Sequence, residues 1–392
     1  MNNTYKVLWV DVLSELGGAQ FSMFETCAKL KENGVTVETA LPPGPLSDRF
    51  RNAGFTVYPI SPIRASKRGF SFFTTAARLL RSPHTISQIV RVCDPDIVHA
   101  NSLAAFITTA HVPKSIATIW HVRDAQKDPL LIRNSVRRAN AIITASETID
   151  TALTDMVSRR YRGKLHLIRN GIDPGIFTEK RDRAQLRSEL GLPAEGPLIG
   201  MVAHIVPWKK HDVFIESAAL IRKSRPDAQF VIIGNDLFNE NKRYEKQLKA
   251  LVNERELQEC FHWLKNSSSP EKFIPALDML IHPPRHEPFG RIVCEAMLCG
   301  IPVLTADTGG PAAIVTHHQT GWLVENGTAK NFAETAIDLL NNPGQCKSIT
   351  AKARRHILEN YTTDRVCRDL MHLYSDVLRR LYEDLNYTPD KD

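Results

Sequence analysis

The residues of this sequence best suited to chemistry are two glutamates, a pair of lysines and two pairs of glycines. Glu287 and Glu295 stand eight residues apart, and Lys209 directly precedes Lys210. Carboxylates accept hydrogen bonds from neighbouring hydroxyl groups, whereas lysine ammonium groups neutralise phosphate. Together these residue types suit a ligand with two hydroxylated parts joined by phosphate, as in a nucleotide sugar.

The two glutamates follow a predicted strand. The apolar run 277–283 predicts that strand, so Glu287 is expected in the loop at its carboxyl end. The next helix is predicted to bury an apolar face formed by Ile292, Val293, Ala296 and Met297. Glu295 is expected about one turn into this helix, off the buried face, while the backbone at Gly290 offers N–H groups. We therefore expect one carboxylate to bind the sugar and the other the ribose.

The lysine pair lies after the predicted strand 197–204 and just before a helix. A loop at the carboxyl end of a parallel strand is a common place for anionic ligands in α/β folds. Lys209 or Lys210 is therefore predicted to neutralise a diphosphate leaving group. Solvated lysines that cap a loop are the alternative interpretation.

The glycine pairs Gly17-Gly18 and Gly309-Gly310 each follow a predicted strand and open a helix. Glycine lets the backbone approach a ligand closely, and a helix start presents N–H groups to an anion. Both pairs are predicted to bind phosphate oxygens. A plain turn is the alternative, because no Gly-x-Gly-x-x-Gly or P-loop pattern is present.

His121 is predicted at the end of the strand 115–121, close to Asp124. A histidine there could contact a sugar near its reacting carbon, and a purely structural histidine is the alternative. Two further motifs are interpreted as structural. Asp94-Pro95-Asp96 is predicted to form a strand-entry turn rather than a metal site, and Asn170-Gly171 a turn that ends the first domain.

Composition narrows the class of protein. The chain has 392 residues, 43% of them hydrophobic, which favours two globular domains. Its seven cysteines form no Cys-x-x-Cys pair, so neither a disulfide framework nor a zinc site is expected, and a reducing cytoplasm fits best. No apolar stretch is long enough to predict a membrane-spanning helix.

The net charge of +7 favours anionic partners, and it is unevenly distributed. Residues 49–93 contain eight lysines or arginines and no acidic residue. Phenylalanines lie among these cations between Arg64 and Arg81, which is typical of segments that contact an anionic membrane surface. A solvated helix with its phenylalanines in the core is the alternative, and no nucleic-acid partner is expected.

The alternation of short Val/Ile-rich runs with amphipathic segments predicts an α/β protein with parallel sheets covered by helices. The polar, Gly/Pro-punctuated segment 171–196 separates two such series, so two similar α/β domains are expected. The chain beyond residue 341 is predicted to be helical to about residue 385.

These motifs together resemble glycosyltransferase family 4, retaining enzymes of the GT-B fold. The motifs that carry the resemblance are, in chain order, Gly17-Gly18, Pro95-Asp96-Ile97-Val98-His99, His121, Asn170-Gly171-Ile172-Asp173, Pro207-Trp208-Lys209, Glu287-Pro288-Phe289-Gly290 with Glu295, and Gly309-Gly310. The resemblance implies two Rossmann-like domains with parallel sheets that face a central cleft. It implies an acceptor-binding domain at 1–172, a nucleotide-sugar-binding domain at 196–362, and a helix at 363–385 that returns to the first domain.

The resemblance also implies roles for single residues. Glu287, His121 and Lys209 are expected to take part in catalysis. The expected donor-binding residues are Gly17, Gly18, His204, Lys209, Lys210, Phe289, Gly290, Arg291, Glu295, Gly309 and Gly310. Neither a metal ion nor another cofactor is expected, because the nucleotide sugar is a substrate.

Three positions depart from the family pattern. His204 stands where an arginine is typical, Lys210 where a glycine is usual, and Ala313 where a glutamate is common. Histidine is less reliably charged than arginine, so phosphate binding is expected to depend on Lys210 or Arg291. The leading expectation is a transferase that acts on a hydroxyl of a lipid-linked or surface-polysaccharide acceptor, in the cytoplasm or at the inner face of the membrane. A non-catalytic GT-B subunit is the alternative.

Overall fold

Short runs of branched apolar residues form parallel strands along the whole chain, and amphipathic helices connect them. A computed structural model describes residues 5–63, 70–177, 182–265 and 269–386, with the backbone alone for residues 70–81. The chain divides into an N-terminal unit, which runs to Gly171 and resumes at Thr363, and a C-terminal unit, Ile172–Thr362.

Seven parallel strands of the described residues form the sheet of the N-terminal unit, in the order β3-β2-β1-β4-β5-β6-β7. The strands are β1 (Lys6–Val10), β2 (Thr36–Leu41), β3 (Thr56–Pro59), β4 (Ile97–Ala100), β5 (Ala117–Val122), β6 (Ala141–Thr144) and β7 (Leu165–Leu167). The helices between them are α1 (Gly18–Glu32), α2 (Pro45–Asn52), α3 (Phe70–Cys93), α4 (Leu103–Thr108), α5 (Pro129–Arg138) and α6 (Glu147–Met156). Every residue of β4 and β5 is buried, as expected for strands covered on both faces.

The C-terminal helix (Thr363–Asn386) belongs to the N-terminal unit. Its apolar residues recur every three or four positions and therefore form one stripe. This stripe joins the core around Trp9 and consists of Val366, Leu370, Leu373, Val377 and Leu381. The single helix predicted beyond residue 341 is interrupted. Tyr361 and Thr362 separate the C-terminal helix from the helix that precedes it.

The C-terminal unit repeats the architecture with a six-stranded parallel sheet, in the order β10-β9-β8-β11-β12-β13. The strands are β8 (Leu198–Val202), β9 (Gln229–Ile233), β10 (Phe261–Leu264), β11 (Met279–His282), β12 (Val303–Ala306) and β13 (Trp322–Val324). The helices are α7 (Arg183–Glu189), α8 (His211–Ser224), α9 (Lys242–Glu254), α10 (Arg291–Leu298), α11 (Gly310–Ile314), α12 (Ala329–Asn341) and α13 (Pro343–Asn360). The runs 197–204, 228–234, 260–264, 277–283 and 301–306 predict β8 to β12, and no such run predicts β13.

None of the helices in the described ranges combines the length and apolarity needed to cross a membrane. The segment predicted to contact a membrane, between Arg64 and Arg81, lies partly outside the described residues. Residues 64–69 are not described, and residues 70–81 are described only as helical backbone.

Candidate functional site

Both sheets contain a point at which the order of strands reverses, between β1 and β4 in one unit and between β8 and β11 in the other. Ligands of open α/β sheets bind beyond the carboxyl ends of the strands at such points. In the C-terminal unit these ends continue into the loops that carry Lys209 and Glu287. In the N-terminal unit the loop after β1 leads to Gly17 and Gly18, so the topology places the predicted groups at ligand-binding positions.

Glu287 and Lys209, which are expected to contact different parts of a ligand, form one partly buried ion pair. The ammonium group of Lys209 donates to Oε2 of Glu287, and each side chain is 12% exposed. His282, the last residue of β11, brings its Nε2 to 3.4 Å from the same oxygen. Burial alone would raise the pKa of the Glu287 carboxyl, but Lys209 and His282 lower that pKa to about 2. Glu287 is therefore a fixed anion at neutral pH.

The lowered pKa of Glu287 links the ion pair to acid stability. Its pKa falls from 4.5 to about 2 on folding, so the pair stabilises the fold above pH 4.5 and loses this effect as the pH falls towards 2. We expect urea unfolding between pH 6 and pH 3 to show a shallower pH dependence for Glu287→Gln than for wild type. Over this pH range the difference corresponds to a free energy of about 2 kcal/mol. Parallel curves for the two proteins would contradict this assignment.

The residues that flank the ion pair differ in charge. Burial lowers the pKa of His204, and the Lys209 ammonium lowers it further, so His204 supplies no fixed positive charge at neutral pH. Lys210 is exposed and has a φ of 60° at the start of α8. This left-handed conformation is the one that glycine adopts most readily, so Lys210 occupies a backbone position suited to glycine.

Two buried histidines near the ion pair, His282 and His211, were not predicted as site residues. His282 is fully buried, as is His211 at the start of α8, and burial lowers the pKa of both, that of His211 to about 4. A polar residue that ends an otherwise apolar strand was the available signal for His282. No comparable signal marked His211.

The glycine pair after β12 locks the Glu287 loop in place. The N–H of Gly310 donates to the carbonyl oxygen of Glu287 at 2.7 Å. This N–H is therefore engaged within the protein, and the binding of phosphate by the glycine pair stays a prediction. A Cβ atom on Gly310 would lie 2.4 Å from Cα of Phe289, and Gly309 has a φ of 80°. Both glycines are thus required by close backbone packing.

The turn between the two glutamates is anchored in the core. The ring of Phe289 is 5% exposed, and its centroid lies 6.1 Å from that of Tyr361. Gly290 adopts a φ of 94° and precedes α10, and a Cβ atom there would lie 2.6 Å from Cγ of Pro311. Phe289 therefore anchors the loop through its ring, and its expected contact with the donor stays a prediction.

Glu295 lies on α10 but not on an exposed face. It is 4% exposed, and its Oε1 accepts a hydrogen bond of 2.7 Å from Nε of Arg291 one turn earlier. The expected position off the buried face is therefore wrong. The charge of Glu295 is compatible with burial because Arg291 neutralises it, and the guanidinium group predicted to bind phosphate is thereby engaged.

Gly17 and Gly18 open α1 in the N-terminal unit. Gly17 is the residue before the helix, and Gly18 is its exposed first residue. A Cβ atom on Gly18 would contact nothing within 4 Å in the described part of the chain. The start of this helix thus leaves space for a ligand next to the backbone.

His121, on β5, is part of a buried hydrogen-bonded chain. Its Nδ1 lies 3.0 Å from Nε2 of His99, whose Nδ1 lies 2.7 Å from the hydroxyl oxygen of Tyr374. Within the described ranges, Nε2 of His121 has no hydrogen-bond partner. Burial lowers the pKa of His121 well below its usual value, and nearby Arg123 lowers it further. His121 is therefore neutral.

A second polar network lies at the ends of β1, β4 and β5. Nε of Arg123 donates to Oδ1 of Asn101 at 2.9 Å, and Nδ2 of Asn101 donates to Oδ2 of Asp11 at 2.7 Å. Arg123 also donates to Asn170, which supports the interpretation of Asn170 as structural.

The Asp-x-Asp sequence has a structural role in the turn before β4. Oδ2 of Asp96 accepts a hydrogen bond of 2.7 Å from the backbone N–H of Lys6. Asp94 adopts a φ of 47° in the same turn. These contacts support the strand-entry interpretation of this sequence.

Two family models match the chain consecutively. The model described as Glycosyltransferase Family 4 matches residues 16–175, and the model described as Glycosyl transferases group 1 matches residues 182–356. A D-inositol 3-phosphate glycosyltransferase of Jonesia denitrificans is 31% identical over 219 residues, 54% of this chain and 51% of the relative. The chain thus spans about half the length of that relative.

A second relative matches over more of its length. The lipopolysaccharide core biosynthesis mannosyltransferase LpsB of Rhizobium meliloti is 22% identical over 330 residues, 78% of this chain and 94% of the relative. Among solved structures, Anabaena Alr3699/HepE in complex with UDP-glucose has a TM-score of 0.81 at 21% identity, covering 95% of this chain and 100% of that chain. This likeness confirms the predicted fold of two Rossmann-like domains. From the two consecutive matches, the chain belongs to glycosyltransferase family 4.

Proposed function

We propose that the protein is a metal-independent, retaining glycosyltransferase that moves a sugar from a UDP- or GDP-sugar to a hydroxyl acceptor. The observation that carries this proposal is the partly buried ion pair of Lys209 and Glu287 in the loops that follow β8 and β11. In this pair, the Lys209 ammonium group can bind the phosphate of a donor, and the Glu287 carboxylate can bind the hydroxyl groups of its sugar. The sugar nucleotide in the Anabaena structure supports this class of donor, and the names of the relatives support glycosyl transfer.

In the proposed reaction, the bond between the anomeric carbon and the diphosphate breaks while the sugar gains oxocarbenium character. Lys209 stabilises the negative charge that develops on the leaving phosphate. The acceptor hydroxyl attacks the same face of the sugar, and its proton passes to the leaving phosphate oxygen. Retention of configuration then requires no covalent intermediate.

Glu287 holds the hydroxyl groups of the donor sugar in this scheme. Glu295 holds those of the ribose, which requires that the ribose join or displace the pair of Glu295 with Arg291. The two-carboxylate mechanism of retaining glycosidases is the rival, in which Glu287 would attack the anomeric carbon. The ion pair with Lys209 favours the binding role, because a carboxylate whose pKa is about 2 is a weak nucleophile. A search for a covalent glycosyl–enzyme species by mass spectrometry distinguishes the two mechanisms.

Gly18 tests whether the start of α1 binds the donor. Because a Cβ atom at Gly18 contacts nothing within 4 Å in the described ranges, Gly18→Ala should leave the thermal unfolding midpoint unchanged. A donor phosphate against this backbone would be displaced, so we expect KM for the nucleotide sugar to rise roughly tenfold, the equivalent of about 1.4 kcal/mol. An unchanged KM in a normally folded variant would place the phosphate elsewhere.

A non-catalytic GT-B subunit is the second candidate. It is favoured by the neutral His204 and by Ala313, which is exposed on α11 where a glutamate is common. A panel of UDP- and GDP-sugars separates the two functions. Slow release of nucleotide that Glu287→Gln abolishes supports the enzyme, whereas calorimetric binding without release from any donor supports the subunit.

The proposed acceptor is a lipid-linked or surface-polysaccharide intermediate, and the basic segment between Arg64 and Arg81 is proposed to bind anionic lipid. Charge attraction of this kind weakens as salt screens it. We expect co-sedimentation with phosphatidylglycerol liposomes to fall with added salt and with charge reversal of Lys67 and Arg68. Co-sedimentation that neither change affects would contradict a role for this segment.

A further inference from the structure

The C-terminal helix contributes a side chain to the histidines of the N-terminal unit. The hydroxyl oxygen of Tyr374 lies 2.7 Å from Nδ1 of His99, and Nε2 of His99 lies 3.0 Å from Nδ1 of His121. The exposed fractions of the three side chains are 0%, 0% and 1%. The indole of Trp9 stacks on the imidazole of His99, with the ring centroids 3.6 Å apart, and so fixes the plane of that ring.

The positions of the protons in this chain follow from Tyr374. Across the described residues, the hydroxyl group of Tyr374 has one hydrogen-bond partner, Nδ1 of His99. Burial raises the pKa of the Tyr374 phenol well above its usual value, so the phenol keeps its proton. A buried donor is costly to leave unpaired, so the hydroxyl donates to His99. Nδ1 of His99 then accepts, and the proton of that ring lies on Nε2.

The same reasoning extends to His121. Nε2–H of His99 donates to Nδ1 of His121, so His121 carries its own proton on Nε2. The reverse direction would leave the phenol proton without an acceptor among the described residues. We propose that Tyr374 is a positioning residue that acts through His99 to hold His121 as the Nε2–H tautomer, a neutral hydrogen-bond donor to a substrate oxygen.

The last nitrogen of this hydrogen-bonded chain, Nε2 of His121, is placed to bind a ligand. Nε2 of His121 is buried and has no hydrogen-bond partner within the described ranges. Other buried ring nitrogens of the described residues share this condition, but Nε2 of His121 also ends a chain of hydrogen bonds, and a bound group there would complete it. The identity of that group as an oxygen of the sugar donor rests on the proposed function. The tautomer itself depends only on contacts within the N-terminal unit.

Nuclear magnetic resonance of protein labelled with ¹⁵N-histidine tests the tautomer directly, because protonated and unprotonated ring nitrogens have well-separated shifts. In the wild type we expect Nε2 of His121 to be protonated, with its signals assigned by their loss in His121→Gln. Tyr374→Phe removes the donor to His99, and we expect a substantial Nδ1–H fraction on His121. Tyr5→Phe is the matched control. Tyr5 is also buried, and its hydroxyl oxygen lies 3.4 Å from the carbonyl oxygen of Met371, a residue of the C-terminal helix that carries Tyr374. We expect the Tyr5→Phe variant to keep the wild-type tautomer of His121.

An unprotonated Nε2 in wild-type His121 would overturn the proposal even if Tyr374→Phe failed to fold. A folded Tyr374→Phe protein in which His121 keeps the wild-type tautomer would also overturn the proposal. In transferase assays, we expect kcat/KM to fall roughly tenfold in Tyr374→Phe, the order expected for one misdirected hydrogen bond, and to stay at the wild-type level in Tyr5→Phe. The wild type could show the expected tautomers and yet release no nucleotide from any donor. That result would support the role of Tyr374 and count against the proposed function.

Discussion

Glu287→Gln is expected to lower kcat for transfer by roughly 10²- to 10³-fold, the range seen when one preorganised electrostatic group is removed from an active site. The substitution keeps the size of the side chain and removes its charge. In the wild type, that charge is fixed by the Lys209 ammonium and by the proximity of His282. The neutral amide cannot hold Lys209 in place or bind hydroxyl groups as strongly. Initial rates of nucleotide release with a saturating donor measure this effect.

Glu216→Gln is the matched control for this change. Glu216 forms an ion pair of 2.8 Å with Arg255, outside the loops that follow β8 and β11. We expect its variant to retain the wild-type rate, because a partly exposed pair of this kind contributes little. A Glu287→Gln protein that is folded and as active as Glu216→Gln would exclude Glu287 from the reaction.

Gly310→Ala is expected to destabilise the C-terminal unit by at least about 3 kcal/mol, the upper end of the range for overpacking. The added Cβ atom would lie 2.4 Å from Cα of Phe289 and 2.5 Å from the carbonyl oxygens of Pro288 and Phe289. These are backbone atoms, so relief requires that the Glu287 loop move. We therefore expect UDP affinity, measured by calorimetry, to fall together with the free energy of unfolding.

Gly344→Ala provides the comparison within the same unit. A Cβ atom at Gly344, in the first turn of α13, meets nothing within 4 Å in the described ranges. Alanine favours a helix over glycine, so this variant is expected to be as stable as the wild type or slightly more so. Equal stability of the Gly310 and Gly344 variants would show that the Glu287 loop is not packed as described.

Much of the fold follows from the sequence, because buried parallel strands are apolar runs of distinctive length. The runs predicted at 277–283 and 197–204 contain β11 and β8, and the loops that follow them carry Glu287 and Lys209 as expected. Strand β13 was missed because its whole apolar run is Trp322–Val324, with Gly321 before it and Glu325 after it. The break between α13 and the C-terminal helix was missed because the apolar spacing continues on both sides of it.

The site was predicted less completely than the fold, because its contacts join residues distant in the sequence. Lys209 and Glu287 are separated by 78 positions, and no local pattern indicates that they pair. The burial of Glu295 depends on Arg291, whose side chain was expected to bind phosphate. The use of the Gly310 N–H by the Glu287 carbonyl is likewise a tertiary contact. Residue types and strand ends therefore predicted which side chains lie near the site. Tertiary packing determined which of those side chains and N–H groups remain free to bind a ligand.

A crystal structure of the protein with a bound UDP- or GDP-sugar, screened first by thermal shift, tests the central claim most directly. We expect a phosphate oxygen within hydrogen-bond distance of Nζ of Lys209 and a sugar hydroxyl within hydrogen-bond distance of the Glu287 carboxylate. A sugar nucleotide bound with neither contact, while Lys209 and Glu287 remain paired only with each other, would contradict the account.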